Sequence, residues 1–236
     1  VLEVCVDSVE SAVAAEEGGA SRVELCAQRQ DGGTTPSAGM IELTRKQISI
    51  GLHVLIRPRA GDFSYSESEF EVMKKDILLA KQLGANGVVF GMLCKNFSID
   101  IPRTAALVDL ARPMSVTFHR AFDEAVDPSS SLDELIRLGV DCVLTSGKKK
   151  TAFEGIDCLQ ALVGQSKGRI SIMPGSGING QNAKIIFSTT GAKQLHVGSA
   201  VTIPVISDIQ ANTLFASPQH VVDAVKVQHL LSIMRS

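Results

Sequence analysis

Short apolar runs alternate along the chain with longer stretches in which apolar residues recur every three to four positions. The first pattern is that of buried strands and the second that of amphipathic helices. Strands are predicted over residues 2–6, 22–26 and 53–56, over 87–90, from Ser115 onward, and over 142–144, 169–173 and 194–197. Helices fall between them. Ser8 caps one that stops at Gly18-Gly19, a second covers 38–47, and Ser66-Glu-Ser-Glu69 forms a capping box for one running to Leu83. Others are predicted over 102–110, from Asp127-Pro128 to near Gly139, after the Thr151-Ala-Phe-Glu154 capping box, after Gly177, and over 218–234.

Eight strands alternating with helices are the pattern of a parallel α/β sheet. An internal repeat indicates how that sheet closes. Gly19-Ala-Ser-Arg-Val23, Gly84-Ala-Asn-Gly-Val88, Gly139-Val-Asp-Cys-Val143 and Gly191-Ala-Lys-Gln-Leu195 each place a glycine helix stop just ahead of every second strand. Repetition at the level of two βα units, in a chain of 236 residues, favours a closed single (β/α)8 TIM barrel over a doubly wound sheet. No linker divides residues 1–236, so one domain is expected, with a C-terminal loop and closing helix at about 199–236. A loop as long as 198–217 suggests a lid or an oligomer contact, or equally a disordered excursion.

Composition narrows the function classes. Hydrophobic residues make up 44% and net charge is −2, which supports a packed core and leaves no footprint for nucleic acid. The run Lys148-Lys-Lys150 reads as a solvated loop face. No apolar stretch reaches the roughly 20 residues of a membrane span. The sequence opens at Val1-Leu2-Glu3, inside a predicted strand, without an initiator Met or signal-peptide pattern, so a trimmed leader stays open. Five scattered cysteines without CxxC spacing fit reduced thiols and a cytoplasmic location.

Alternation along each strand separates the barrel interior from the helix-facing side. With Val23, Val88, Val143 and Leu195 against the helices, Glu24 and His196 point inward, followed by Cys26, Ser146 and Gly198. Glu3 and Cys5 share a face in the first strand, Leu55, Arg57 and Arg59 in the third, and Thr117 and His119 in the fifth. The interior set is therefore Glu3, Glu24, Arg57, His119 and His196, with Cys5, Cys26 and Ser146. One reading is a charge-balanced plug, the glutamates neutralised by Arg57 and the imidazoles. The other is a site in which His119 acts as general acid/base near neutral pH with Glu3 or Glu24 sharing the proton, and His196 as a further catalytic candidate. Arg120 has the opposite parity and is expected to pair with a loop carboxylate such as Asp123.

Three turns add anion capacity, because backbone N–H groups after the last barrel strands commonly hold phosphate. They contribute Ser146 and Gly147, Gly175 and Gly177, and Gly198 and Ser199. With Arg57 and Arg59 they point to a small phosphate- or carboxylate-bearing ligand, the substrate if the protein is a TIM-barrel enzyme. Cys5 and Cys26 lie near the ends of adjacent strands, about 4.8 Å apart by sheet spacing. Two such thiols can share a soft ion such as Cu(I) or pack as small hydrophobes, and both readings stand.

Glu3-Val-Cys-Val-Asp-Ser8, Arg22-Val-Glu-Leu-Cys26, Gly32-Gly-Thr-Thr-Pro-Ser37, Ile56-Arg-Pro-Arg59, Val116-Thr-Phe-His-Arg-Ala-Phe-Asp123, Leu144-Thr-Ser-Gly147 and Pro174-Gly-Ser-Gly-Ile178 together resemble the CutC copper-homeostasis family, from Val1 to about Ser199. The resemblance implies a cytoplasmic, self-associating TIM barrel (a homo-oligomer) with a role in copper tolerance or trafficking. It also implies copper as cofactor or partner, bound as Cu(I) by Cys5 and Cys26. It implies no reaction. Ser176 stands where the family's turn usually carries Gly.

Overall fold

The computed structural model describes residues 1–205 and 219–235. Its sheet is built from β1 (Leu2–Val6), β2 (Arg22–Leu25), β3 (Gly51–Leu55), β4 (Gly87–Phe90), β5 (Ser115–Phe118), β6 (Cys142–Thr145), β7 (Ser171–Pro174) and β8 (Leu195–Val197). All neighbours are parallel, in the order β7-β6-β5-β4-β3-β2-β1-β8. The closing seam between β7 and β8 comes together without a ladder, so the TIM barrel is nearly closed.

The helices lie outside: α1 (Val9–Glu17), α2 (Ala38–Gln47), α3 (Glu67–Gln82), α4 (Ile101–Ala111), α5 (Pro128–Arg137), α6 (Ile156–Ser166), α7 (Ala183–Thr190) and α8 (Ala224–Arg235). Their starts follow the expected caps. The Ser8 hydroxyl accepts from Ser11 N–H, Ser66 and Glu69 form a reciprocal capping box, and Asp127 accepts from Ser129 and Ser130 ahead of Pro128. The four repeat glycines all adopt left-handed φ, +89° at Gly19, +84° at Gly84, +76° at Gly139 and +69° at Gly191. That turns each helix sharply into the next strand.

Val23, Val88, Val143 and Leu195 are fully buried against the helices, in the main core. The barrel interior is only partly apolar. Cys26, Leu55 and Val89 pack with Cys5 in one small cluster, and Cys142, Leu144 and Met173 form another. Glu3, Glu24, His53 and Thr117 are buried polar residues of the same sheet.

Two local expectations change. The Thr151 hydroxyl accepts from Glu154 N–H, but this closes a turn, and α6 begins later, at Ile156. The closing helix begins at Ala224 rather than 218, because His220–Val222 (β10) pairs antiparallel with Thr202–Pro204 (β9). Most of the expected long loop, from residue 206 to its end at 217, lies outside the described residues.

Candidate functional site

Glu3 is the centre of the barrel's charge network. Its carboxylate is fully buried, takes an ion pair from Arg22 Nε, accepts from His196 Nδ1 at 2.8 Å and lies 3.8 Å from His53 Nδ1. Strand register explains the meeting, since Glu3 pairs with Arg22 on one side and His196 on the other. Arg22 also reaches Gln194 Oε1 at 2.9 Å and Met173 Sδ at 3.3 Å. The expected plug therefore exists around Glu3, but its arginine is Arg22, not Arg57. Burial pushes the His53 imidazole down to about 4. Burial also works against the His196 cation, yet Glu24, Cys5 and Glu3 outweigh it and hold its pKa well above 6.5.

One layer higher stand the thiols. Cys5 and Cys26 approach to 3.8 Å between sulfurs, and the Cys26 thiol also faces the Val6 carbonyl at 3.6 Å. Cys5, Glu24 and His196 bring a sulfur, a carboxylate oxygen and a ring nitrogen within 4.8 Å of one another. The Cys26 contact and burial push the Cys5 thiol well above 9. Burial likewise raises the Glu24 carboxyl. All five cysteines are free.

These groups form one wall of a 410 Å³ cavity whose other wall includes Arg29, Arg57, Phe63, His119 and Arg120. Arg57 is buried and spends its guanidinium on the carbonyls of Asp31, Gly33 and Gly61 at 2.8–3.1 Å. His119 is buried under Phe63, with ring centroids 4.9 Å apart, and its Nδ1 accepts from Ala121 N–H. Burial and the Arg57 charge push its pKa down to about 3. Burial thus favours the neutral imidazole, and with Nδ1 accepting from Ala121 its proton is on Nε2, a hydrogen-bond donor. Its ring fits because Gly91 lacks a side chain: an added Cβ would stand 2.5 Å from His119 Nδ1. Gly91→Ala should displace the ring and cost about 1–3 kcal/mol, measurable as a lowered urea midpoint.

The turns are largely spoken for. Asp123 fills the turn after β6, accepting from the Thr145 hydroxyl, from Ser146 N–H and Oγ, and from Lys148 N–H. Arg120 Nε pairs with the same carboxylate at 2.8 Å, as parity suggested, and Gly147 N–H goes to Thr145 Oγ1. Ser146 therefore holds an internal anion, and the Gly147 N–H is taken by a neighbouring hydroxyl. Gly175 donates its N–H to the Thr145 carbonyl, and a Cβ there would meet Leu144 at 2.5 Å. Gly177, Gly198 and Ser199 line an adjoining pocket that shares Cys5, Arg29, Arg120 and His196 with the first. Ser176 takes φ +79° and donates to the Lys150 carbonyl, a backbone conformation that suits glycine better. Arg59 is not brought to the site: it pairs with Glu69 at 2.6 Å and Asp62 at 3.1 Å.

Residues 1–201 match the model of the CutC family. The chain belongs to that family. It is 51% identical over 196 residues to the copper homeostasis protein cutC homolog of Mus musculus, covering 83% of this chain and 72% of that one. With the Homo sapiens homolog it shares 49% over 202 residues, 86% of this chain and 74% of that one. A solved CutC from Streptococcus agalactiae superposes with a TM-score of 0.79 at 34% identity, covering 84% of this chain and 98% of that one. A thiamine phosphate pyrophosphorylase from Pyrococcus furiosus, at 17% identity and a TM-score of 0.64, shares the fold alone. Among the described residues no helix is long and apolar enough to cross a membrane.

Within this CutC framework, alternation in the strands carried an unused signal. Arg22 shares parity with Glu24, and His53 with Leu55, so both belong to the interior set. Asp123, Arg29 and Phe63 lie on loops, where parity carries no information.

Proposed function

We propose that this CutC-family chain takes up Cu(I) as cargo through Cys5 and Cys26, with His196 and Glu24 as neighbouring donors, and serves intracellular copper handling. The observation that carries the reading is the 3.8 Å separation of the two sulfurs beside an imidazole and a carboxyl. Thiolate–metal bonds are about 2.3 Å long, so one ion can reach both sulfurs with the strands where they are. Thiolates are soft ligands and select Cu(I) over hard cations. The names of the mammalian relatives, copper homeostasis protein cutC homologs, agree with it.

Because the Cys5 thiol is held well above 9, uptake must displace protons, and affinity should rise with pH. Anaerobic titration against a chromogenic Cu(I) chelator should show one equivalent bound, tighter at pH 8 than at pH 6. Cys5→Ser with Cys26→Ser should weaken it by about a hundredfold or more, roughly 2.7 kcal/mol. If the double variant binds Cu(I) as well as the parent, the thiols are packing residues and the reading fails.

For the other expectation, an enzyme using His119 as acid/base on a small anionic substrate, the cavity speaks in favour and the lowered His119 pKa against. No reaction is proposed.

A further inference from the structure

The cavity beside the thiols is lined by hydrogen-bond donors that the protein does not use. Arg29 Nη1, Arg57 Nε and His119 Nε2 are buried without a hydrogen-bond partner, and all three residues line the same 410 Å³ space. The other buried, unpartnered side-chain atoms belong to Thr44, His53, Tyr65, Thr104 and Thr117, none of which lines it. The Tyr65 hydroxyl lies beside the Arg57 guanidinium, close enough to interact with it as well as to feel its charge, without a well-formed hydrogen bond between them.

The three groups agree in kind. Guanidinium nitrogens only donate, and with His119 Nδ1 accepting from Ala121, Nε2 carries the ring proton. One of them, Arg57, also carries charge without balance. Among the described residues no carboxylate lies within ion-pair distance of Arg57, whose partners are neutral carbonyls. Arg29 reaches Asp7 only at 3.6 Å. Buried polar groups are hydrogen-bonded as a rule, and a buried cation without a counter-ion is costly. A ligand that supplied acceptor oxygens and negative charge would meet both needs. Leu55, Phe63 and Leu144 give the cavity an apolar part, and its carboxyl groups are those of Glu24, Asp123 and Glu124, of which Asp123 is paired with Arg120.

We propose that this cavity binds a small organic oxyanion, a carboxylate or a phosphate ester. Its charged end meets Arg29, Arg57 and the Nε2–H of His119, and its apolar body lies against Leu55, Phe63 and Leu144. The proposal stands independently of copper binding, since it uses neither thiol.

The test is calorimetric titration of the metal-free protein with benzoate, phenyl phosphate, inorganic phosphate and benzyl alcohol. Benzoate or phenyl phosphate should bind one-to-one, about tenfold tighter than inorganic phosphate, and benzyl alcohol should not bind. Whichever of the two aromatic anions binds more tightly identifies the charged group. His119→Leu should weaken that binding about tenfold, whereas His119→Gln, which restores an N–H near Nε2, should recover most of it. Arg29→Met, a change at the half-exposed rim, supplies the same comparison should His119→Leu fail to fold. Cu(I) affinity measured on the same variants should stay within about threefold of the parent. The proposal is overturned if neither aromatic anion binds below about 10 mM, or if the His119→Leu and Arg29→Met variants both bind as the parent does.

Discussion

Glu3→Gln should destabilise the metal-free protein by about 3–5 kcal/mol, the usual cost of removing one partner from a buried ion pair. The carboxylate is fully buried and meets Arg22, His196 and His53. Removing its charge leaves the Arg22 guanidinium and the His196 imidazolium facing one another's field without compensation. The pH dependence gives a second readout. Burial alone would raise the Glu3 carboxyl, but the His196 hydrogen bond and the Arg22 and His53 charges win and hold it at about 2. Its contribution is therefore present above the ordinary value of about 4.3 and is lost as pH falls below it. The His196 pKa is raised, so its contribution is full below about 6.5 and is lost as pH rises through the folded value. Together the pair supports the fold most between about pH 4.5 and 6.5. Urea unfolding from pH 4 to 9 should show that plateau in the parent and a flatter profile in Glu3→Gln. Parallel profiles, or a cost below about 1 kcal/mol, would remove Glu3 from its central place.

Asp123→Ala should cost about 3 kcal/mol or more, because charge-assisted hydrogen bonds contribute about 1.5–3 kcal/mol each and do not add fully. The lost acceptor serves Thr145, Ser146, Lys148 and Arg120 at once. Hydrogen exchange at the amides of Ser146 and Lys148 should speed up, while amides of β1 and β2 change little. Asp123→Asn keeps acceptor oxygen but loses the charge facing Arg120, and should fall between Ala and parent. Unchanged protection at Ser146 would show that another group holds the turn.

Much of the barrel was legible because its signals are local. Caps at Ser8, Ser66 and Asp127, the glycine repeat, and alternation along short strands each depend on a few neighbouring residues. Alternation also brought Glu3, Glu24, Cys5, Cys26 and His196 to one interior, and the structure does place them together. Failures came where partner choice depends on distance across the fold. Arg57 and Arg22 are both interior by parity, yet which one meets Glu3 is decided by register between strands. Arg59 left the site because past the end of β3 the chain no longer alternates, and Glu69 and Asp62 were nearer. The glycine turns looked like anion cradles, but a carboxylate 22 residues upstream of Thr145 had already taken one of them. His119 kept its place and changed its chemistry, since burial under Phe63 and beside Arg57 is invisible in a motif.

The Glu3–His196 contact joins positions 193 residues apart, the first strand to the eighth. An emerging chain can pair Glu3 with Arg22 almost at once, but the second Glu3 oxygen has no His196 partner until the eighth strand arrives. The interior charge thus makes partial barrels expensive, and pushes the folding barrier toward late, high-contact-order closure. A chain shortened before His196 would retain most of its helices and strands, yet lack the group that allows its centre to dry. Such a fragment belongs with species that linger partly collapsed and associate through exposed apolar strands. The ion network at the barrel's centre is in this sense a completeness check on the polypeptide.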